Sequence, residues 1–193
     1  TELIPEVATI GQVQGVLRTL LMERVPVKDL ATILEALADA MRLTDDLEEA
    51  TEIVRLALAR TINEQYRQPN RRIYAITVDP QLEAHIAEST MKSLQGTICA
   101  VDPSVLQQMI RSANSAVEKT VARGHEPVIL TSPGVRRHVR SLLGRHLPTV
   151  PVLSHAEIIP EVDIEAVGTV EGRQAQVAGR LPGPMAAMQP SVA

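Results

Sequence analysis

Apolar residues recur at helical spacing through the first third of the chain and then change period. Val13, Val16, Leu17, Leu20 and Leu21 follow Thr9, a residue suited to accept from the free N–H groups of a helix start. Pro26 interrupts the pattern, and Asp29 can cap a second helix whose stripe is Leu30, Ile33, Leu34, Leu37 and Met41. Thr44, with Asp45 and Asp46 in the first turn, opens a third helix. Its stripe is Leu47, Ala50, Val54, Ala57 and Leu58, with Ile53 and Ile62 alongside, and it runs to Gln68-Pro69-Asn70.

From residue 71 short β-rich runs alternate with helices. Residues 73–78 (IYAITV), 128–131 and 150–153 read as strands of the kind buried in a parallel sheet, and residues 164–170 as a last strand at an edge. Asp79-Pro80 and Asp102-Pro103 each supply a cap and a first-turn proline. The first opens a short helix to about Ser89. The second opens a long helix to Arg123, stopped by Gly124. Ser132-Pro133 repeats the device. The expected fold class is α/β with a separate helical subdomain: a helical subdomain over residues 1–70, then a small open α/β layer with a mostly parallel sheet over residues 71–170. Residues 171–193, rich in Gly, Pro and Ala without periodicity, read as a flexible C-terminal tail.

Composition narrows the packing and the partners. The chain has 193 residues, 45% of them apolar, but no Phe or Trp and only Tyr66 and Tyr74 as aromatics, so the core must be aliphatic. A net charge of −4 and the lack of stacking platforms argue against nucleic acid. Cys99 is the single cysteine, which excludes an internal disulfide. No apolar run reaches the roughly 18–20 residues a membrane helix needs. With Thr at position 1, the sequence is expected to be part of a longer chain.

The search for chemistry finds no catalytic, cofactor-binding or metal-binding set. The histidines (His85, His125, His138, His146, His155) form neither HxxxH nor HExxH. His138 and His146 read as solvent-facing, and Cys99, in an apolar context, as an inert core thiol. No GxSxG, GxGxxG or GxxxxGK[ST] occurs. One charged feature stands out. The helix after Pro133 buries Val135, Val139, Leu142 and Leu143, and Arg136, Arg137, Arg140 and Arg145 lie off that stripe, with no Asp or Glu between residues 127 and 156. An acidic protein surface, a small anion held with Ser132 and Ser154, and an ordinary solvated face all suit it. Arg136, Arg137 and Arg140 are the candidate protein-contact residues. Glu23, Arg24, Lys28 and Asp29, around Pro26, are candidate subunit-contact residues at a helix–helix corner.

Two long segments carry a family resemblance: residues 5–39 (PEVATIGQVQGVLRTLLMERVPVKDLATILEALAD) and 127–158 (PVILTSPGVRRHVRSLLGRHLPTVPVLSHAEI), joined by residues 49–62 (EATEIVRLALARTI). They resemble the FlhA/FHIPEP family, the export-gate proteins of flagellar and injectisome type III secretion. The likeness implies the last two subdomains of a cytoplasmic half, helical then α/β. It also implies a non-enzymatic, nine-fold ring that receives export substrates, their chaperones and the stalk of the export ATPase complex. The wording of residues 127–158 favours a flagellar member. The tail after residue 170 carries no resemblance.

Overall fold

A computed structural model describes residues 8–93 and 96–172. Four helices come first: α1 (Ile10–Met22), α2 (Leu30–Ala40), α3 (Leu47–Ala57) and α4 (Ala59–Tyr66). The α/β part follows as β1 (Arg72–Val78), α5 (Pro80–Glu88), a hairpin of β2 (Thr90–Ser93) and β3 (Gly96–Cys99), α6 (Pro103–Ala122), β4 (Val128–Thr131), α7 (Arg136–Leu143), β5 (Val152–Ser154), a 3-10 turn (His155–Glu157) and β6 (Asp163–Val170).

The caps act where the sequence puts them. Thr9 and Gln12 form a reciprocal capping box on α1, and Asp29, Asp79 and Asp102 accept from the first-turn amides of α2, α5 and α6. Gly124 ends α6 at φ 81°, a left-handed conformation that costs any residue with a Cβ. Three local expectations change. The third helix starts from Asp46 rather than Thr44, and it breaks at Leu58, whose N–H is shared between Val54 O and Arg55 O. The bend lets both Leu58 and Ile62 enter the core. Ser132 does not cap α7. Its backbone O accepts from Val135 and Arg136 N–H, so Pro133-Gly134 form a turn and the helix starts at Arg136. The β2–β3 hairpin, antiparallel with Thr90 opposite Cys99, has no counterpart in the sequence reading. Cys99 is half-buried there and packs against the apolar cluster of Leu82, Ile86 and Met109.

The sheet has order β5-β4-β1-β6, and its three pairings are all parallel. β6 lies at an edge, as expected, with a register shift opposite Ala75/Ile76. The two crossovers β1→β4 and β4→β5 advance in one direction. Their helices therefore lie on one face, where Leu82, Ile86, Met109, Ala113, Val135 and Val139 join Ile76, Val78, Ile129 and Val152. The return from β5 to β6 runs the opposite way and passes over the other face through Ile158, Ile159 and Val162. Helices α1–α4 cover that face, and Val16, Leu20, Ile33, Leu37, Val54 and Ile62 share one apolar cluster with Ile73, Ala75, Val128, Leu130 and Leu153. The result is a helix–sheet–helix stack with an aliphatic core on each side of the sheet.

Adjacent strand residues therefore both count as core. Ile129 faces one cluster and Leu130 the other, at 0% and 1% exposure. Leu130→Ala and Ile129→Ala should each cost about 2–5 kcal/mol, measured by urea unfolding. A near-neutral value for either would mean that its face is not covered.

Candidate functional site: a buried ionic junction

The arginines of α7 turn inward, toward acids far away in sequence. Arg136 is 1% exposed, and its guanidinium is fully engaged. Nε donates to Glu52 Oε2 at 2.5 Å, Nη2 to Glu52 Oε1, and Nη1 to Glu23 Oε2 at 2.6 Å and to the Val152 carbonyl at 3.2 Å. Glu23 also accepts from Arg55 Nη1 at 2.8 Å, and Arg55 Nη2 stands 2.7 Å from Glu157 Oε1. Glu157 in turn accepts from Ser154 N–H at 2.6 Å and Ser154 Oγ at 3.0 Å. One chain of charge thus runs Glu52–Arg136–Glu23–Arg55–Glu157–Ser154. It links the end of α1, α3, α7, the 3-10 turn and β5.

Charge balance makes such burial tolerable. Three carboxylates face two guanidinium groups, and Arg140, whose charge reaches Glu23, offsets the excess. Burial alone would raise the Glu23 carboxyl, but Arg136 and Arg55 outweigh it and hold the group below the ordinary carboxylate value. Burial would likewise lower Arg136, and its bonds to Glu52 and Glu23 reverse the sign and raise it.

The neighbouring charges follow the same logic. Arg137 reaches Asp46 Oδ2 at 3.2 Å and Glu48 Oε2 at 3.6 Å, across to the start of α3. Burial would raise Asp46, but the hydrogen bond from Arg137 and the amides of Glu48 and Glu49 keep it lowered. Arg140 donates to the Val150 carbonyl at 3.2 Å. His138, expected at the surface, is 6% exposed, and burial together with Arg137 pushes its pKa down. His146 and His155 are exposed. Among the described residues no group of three His, Cys, Asp or Glu could hold a metal ion.

The two candidate contact sets therefore separate. Arg136 is not on the surface. It is a structural ion inside the molecule, because its acidic partners lie 84 and 113 residues away, in the helical part. Arg137 and Arg140 stay half-buried. Glu23 belongs to the junction, whereas Arg24 and Lys28 are exposed and Asp29 caps α2 through Thr32. The small-anion alternative loses its residues, since Arg136 is bonded to Glu23 and Glu52 and Ser154 to Glu157. Sequence reasoning missed Glu52, Arg55 and Glu157. The available signal was an arginine and a glutamate inside otherwise apolar stretches, at Val54-Arg55-Leu56 and Ala156-Glu157-Ile158.

The junction also closes one edge of the sheet. Ile129 N–H pairs with the Pro151 carbonyl, so Pro151 and Leu153 face β4, and residues 150, 152 and 154 face outward. Arg140 caps the carbonyl of Val150, Arg136 that of Val152, and Glu157 the N–H of Ser154. With these three outward groups occupied, β5 is a poor template for another strand.

This arrangement, helices fused to a parallel sheet through a charged seam, is a packing module. Comparison with known proteins identifies the module. The profile of the FHIPEP family matches residues 1–163, and the chain belongs to that non-enzymatic family. It is 37% identical over 169 residues to the flagellar biosynthesis protein FlhA of Caulobacter vibrioides, covering 88% of this chain and 24% of that protein. It is 34% identical over 170 residues to FlhA of Bacillus subtilis, covering 88% and 25%. Among solved structures it resembles the Chlamydia pneumoniae CdsV and CdsO protein complex, with TM-score 0.78 and 31% identity over 88% of this chain and 48% of that one. It also resembles nonameric EPEC SctV-C, with TM-score 0.73 and 27% identity over 82% and 48%. The chain thus spans about a quarter of the length of the curated relatives and about half of the solved ones.

Two measurements test the junction. Arg136→Met leaves Glu23 and Glu52 without their shared cation and should cost about 3–5 kcal/mol, read by chemical denaturation, with part recovered by adding Glu52→Leu. Stability should also fall on acidification. His138 and Glu23 both have folded pKa values below their unfolded ones, so the unfolded chain binds more protons. The His138 contribution is complete above its ordinary value of 6.5 and fades as pH drops below it. The Glu23 contribution is present above its ordinary 4.5 and is lost as pH falls through the lowered folded value. A melting-temperature profile from pH 8 to 3 should show both steps, and His138→Leu should remove only the upper one.

Proposed function

We propose that this chain is the helical and α/β part of the cytoplasmic portion of a flagellar type III export gate. In that role it forms one sector of a nine-fold ring at the cytoplasmic face of the bacterial inner membrane. The ring docks export substrates with their chaperones, and the stalk of the export ATPase complex. The observation that carries the reading is the match of most of the chain to two gate-type structures, one nonameric and one in complex with CdsO. The flagellar assignment rests on the FlhA relatives, at 34% and 37% identity. The injectisome alternative has the solved structures in its favour, at 27% and 31%. The role is non-catalytic. No helix among the described residues is long and apolar enough to cross a membrane, so in this reading the membrane is reached through another part of the gate.

The test is a graft. Residues 1–170 replace the matching segment of Bacillus subtilis FlhA, and swimming and flagellin export are measured. Retained export supports the flagellar reading. Loss of export from a graft that accumulates normally, with secretion retained when the same segment is placed in an injectisome gate, supports the alternative. Loss in both removes the gate reading.

A further inference from the structure

The two margins of the sheet are finished differently. β5 has outward groups occupied, whereas β6 is covered over only its second half. There α6 lies against it, and a Cβ at Gly168 would stand 3.3 Å from the Ala116 Cβ. Ser112 Oγ donates to the Thr169 carbonyl at 3.4 Å and accepts from Glu171 N–H at 3.0 Å. Residues 163–166 have no such cover, and all four are exposed.

Two bonds to the β1 side fix which backbone groups of β6 point outward. Asp163 N–H donates to the Arg71 carbonyl at 3.1 Å, and Asp79 N–H donates to the Val170 carbonyl at 2.9 Å. In a parallel ladder alternate residues turn both groups to the same neighbour. Asp163 and Glu165 therefore face β1, and Ile164 and Ala166 present their N–H and C=O groups away from it. The register shift passes over Val167, so Gly168 and Val170 face β1 again and Thr169 points outward, where Ser112 meets it. Among the described residues β6 pairs with β1 alone, so Ile164 and Ala166 have no ladder partner.

The side chains of this bare half alternate in character. Ile164 and Ala166 are in register with Ile73 and Ala75, on the face of the α1–α4 layer but beyond the part it buries. Asp163 and Glu165 are in register with Arg72 and Tyr74, on the opposite face. Arg72 holds Glu165 at 2.9 Å, and Arg71 is exposed at the turn into β1. Asp163 and Glu161 make no ion pair among the described residues, and no Lys or Arg occurs from residue 146 to 172.

We propose that residues 163–166 of β6 are a docking edge for a short extended segment of a partner protein, one in which basic and apolar residues alternate. The incoming backbone pairs with Ile164 and Ala166. Its apolar side chains lie on those two residues, and its basic ones on Asp163 and Glu165. A second copy of the same edge fits badly. With the outward residues matched, Asp163 and Glu165 of both copies fall opposite one another on one face, which like charges disfavour. The inference rests on β6 alone, so its failure would leave the export-gate reading untouched.

The test titrates the 193-residue chain with the acetylated, amidated pentapeptide Lys-Val-Lys-Val-Lys, following amide exchange and chemical shifts by NMR. In the free chain the Ile164 and Ala166 amides should exchange fast, and those of Asp163 and Glu165 slowly. Saturating peptide should slow the first pair about tenfold and leave the second unchanged. Asp163→Lys changes an exposed side chain, so it should keep the melting temperature and weaken binding about fivefold. The peptide is also N-methylated, at both valines or at the central lysine. Whichever set turns its N–H groups to the edge should abolish binding. The proposal is overturned if the peptide slows neither Ile164 nor Ala166, or if neither N-methylated form loses binding. Equal binding of Glu-Val-Glu-Val-Glu overturns it too. So does protection of Ile164 and Ala166 in the free chain, which would mean that the chain or a second copy already covers the edge.

Discussion

The seating of the α1–α4 layer on the sheet depends on the requirement that a buried charge be matched. Arg136 and Arg55 are among the largest fully buried side chains, in a protein without phenylalanine or tryptophan. Removing either from its acids would strand several charges in a low-dielectric interior. Docking of the helical layer on the sheet is therefore tied to one geometry, in which Glu23 faces both arginines and Glu157 closes the far end. The aliphatic clusters supply adhesion without direction, since Leu, Ile and Val tolerate small slides. The junction supplies the register.

The sequence was legible where structure is decided locally. Asp79-Pro80 and Asp102-Pro103 marked helix starts because the cap and the ring constrain only the next few amides. Gly124 marked a stop for the same reason, and residues 128–131 emerged with the bounds the pattern indicated. Legibility failed where the deciding contact is distant. Arg136 looks solvent-facing beside its own neighbours, none of them acidic. Its burial is set by Glu23 and Glu52, which no window along the chain can bring near. The bend at Leu58 has no Pro or Gly to announce it and follows from packing on both α1 and the sheet. The β2–β3 hairpin hides in a stretch with little alternation.

The candidate site was half visible. The clustering of arginines after Pro133 and of charges around Pro26 pointed to the two segments that meet, but the reading placed both at the surface, open to other molecules or to solvent. In the fold they meet each other. A charge reversal at Arg136 would thus interrogate folding.

The seal on β5 has a consequence in time as well as in space. Its three closing groups, Arg136, Arg140 and Glu157, all come from within about twenty residues of the strand they cover. None waits for the helical layer to arrive. As β4, α7 and β5 assemble, the exposed margin of the growing sheet is therefore sheathed in the same event that creates it. A nascent or transiently opened chain then presents less of that margin to its neighbours.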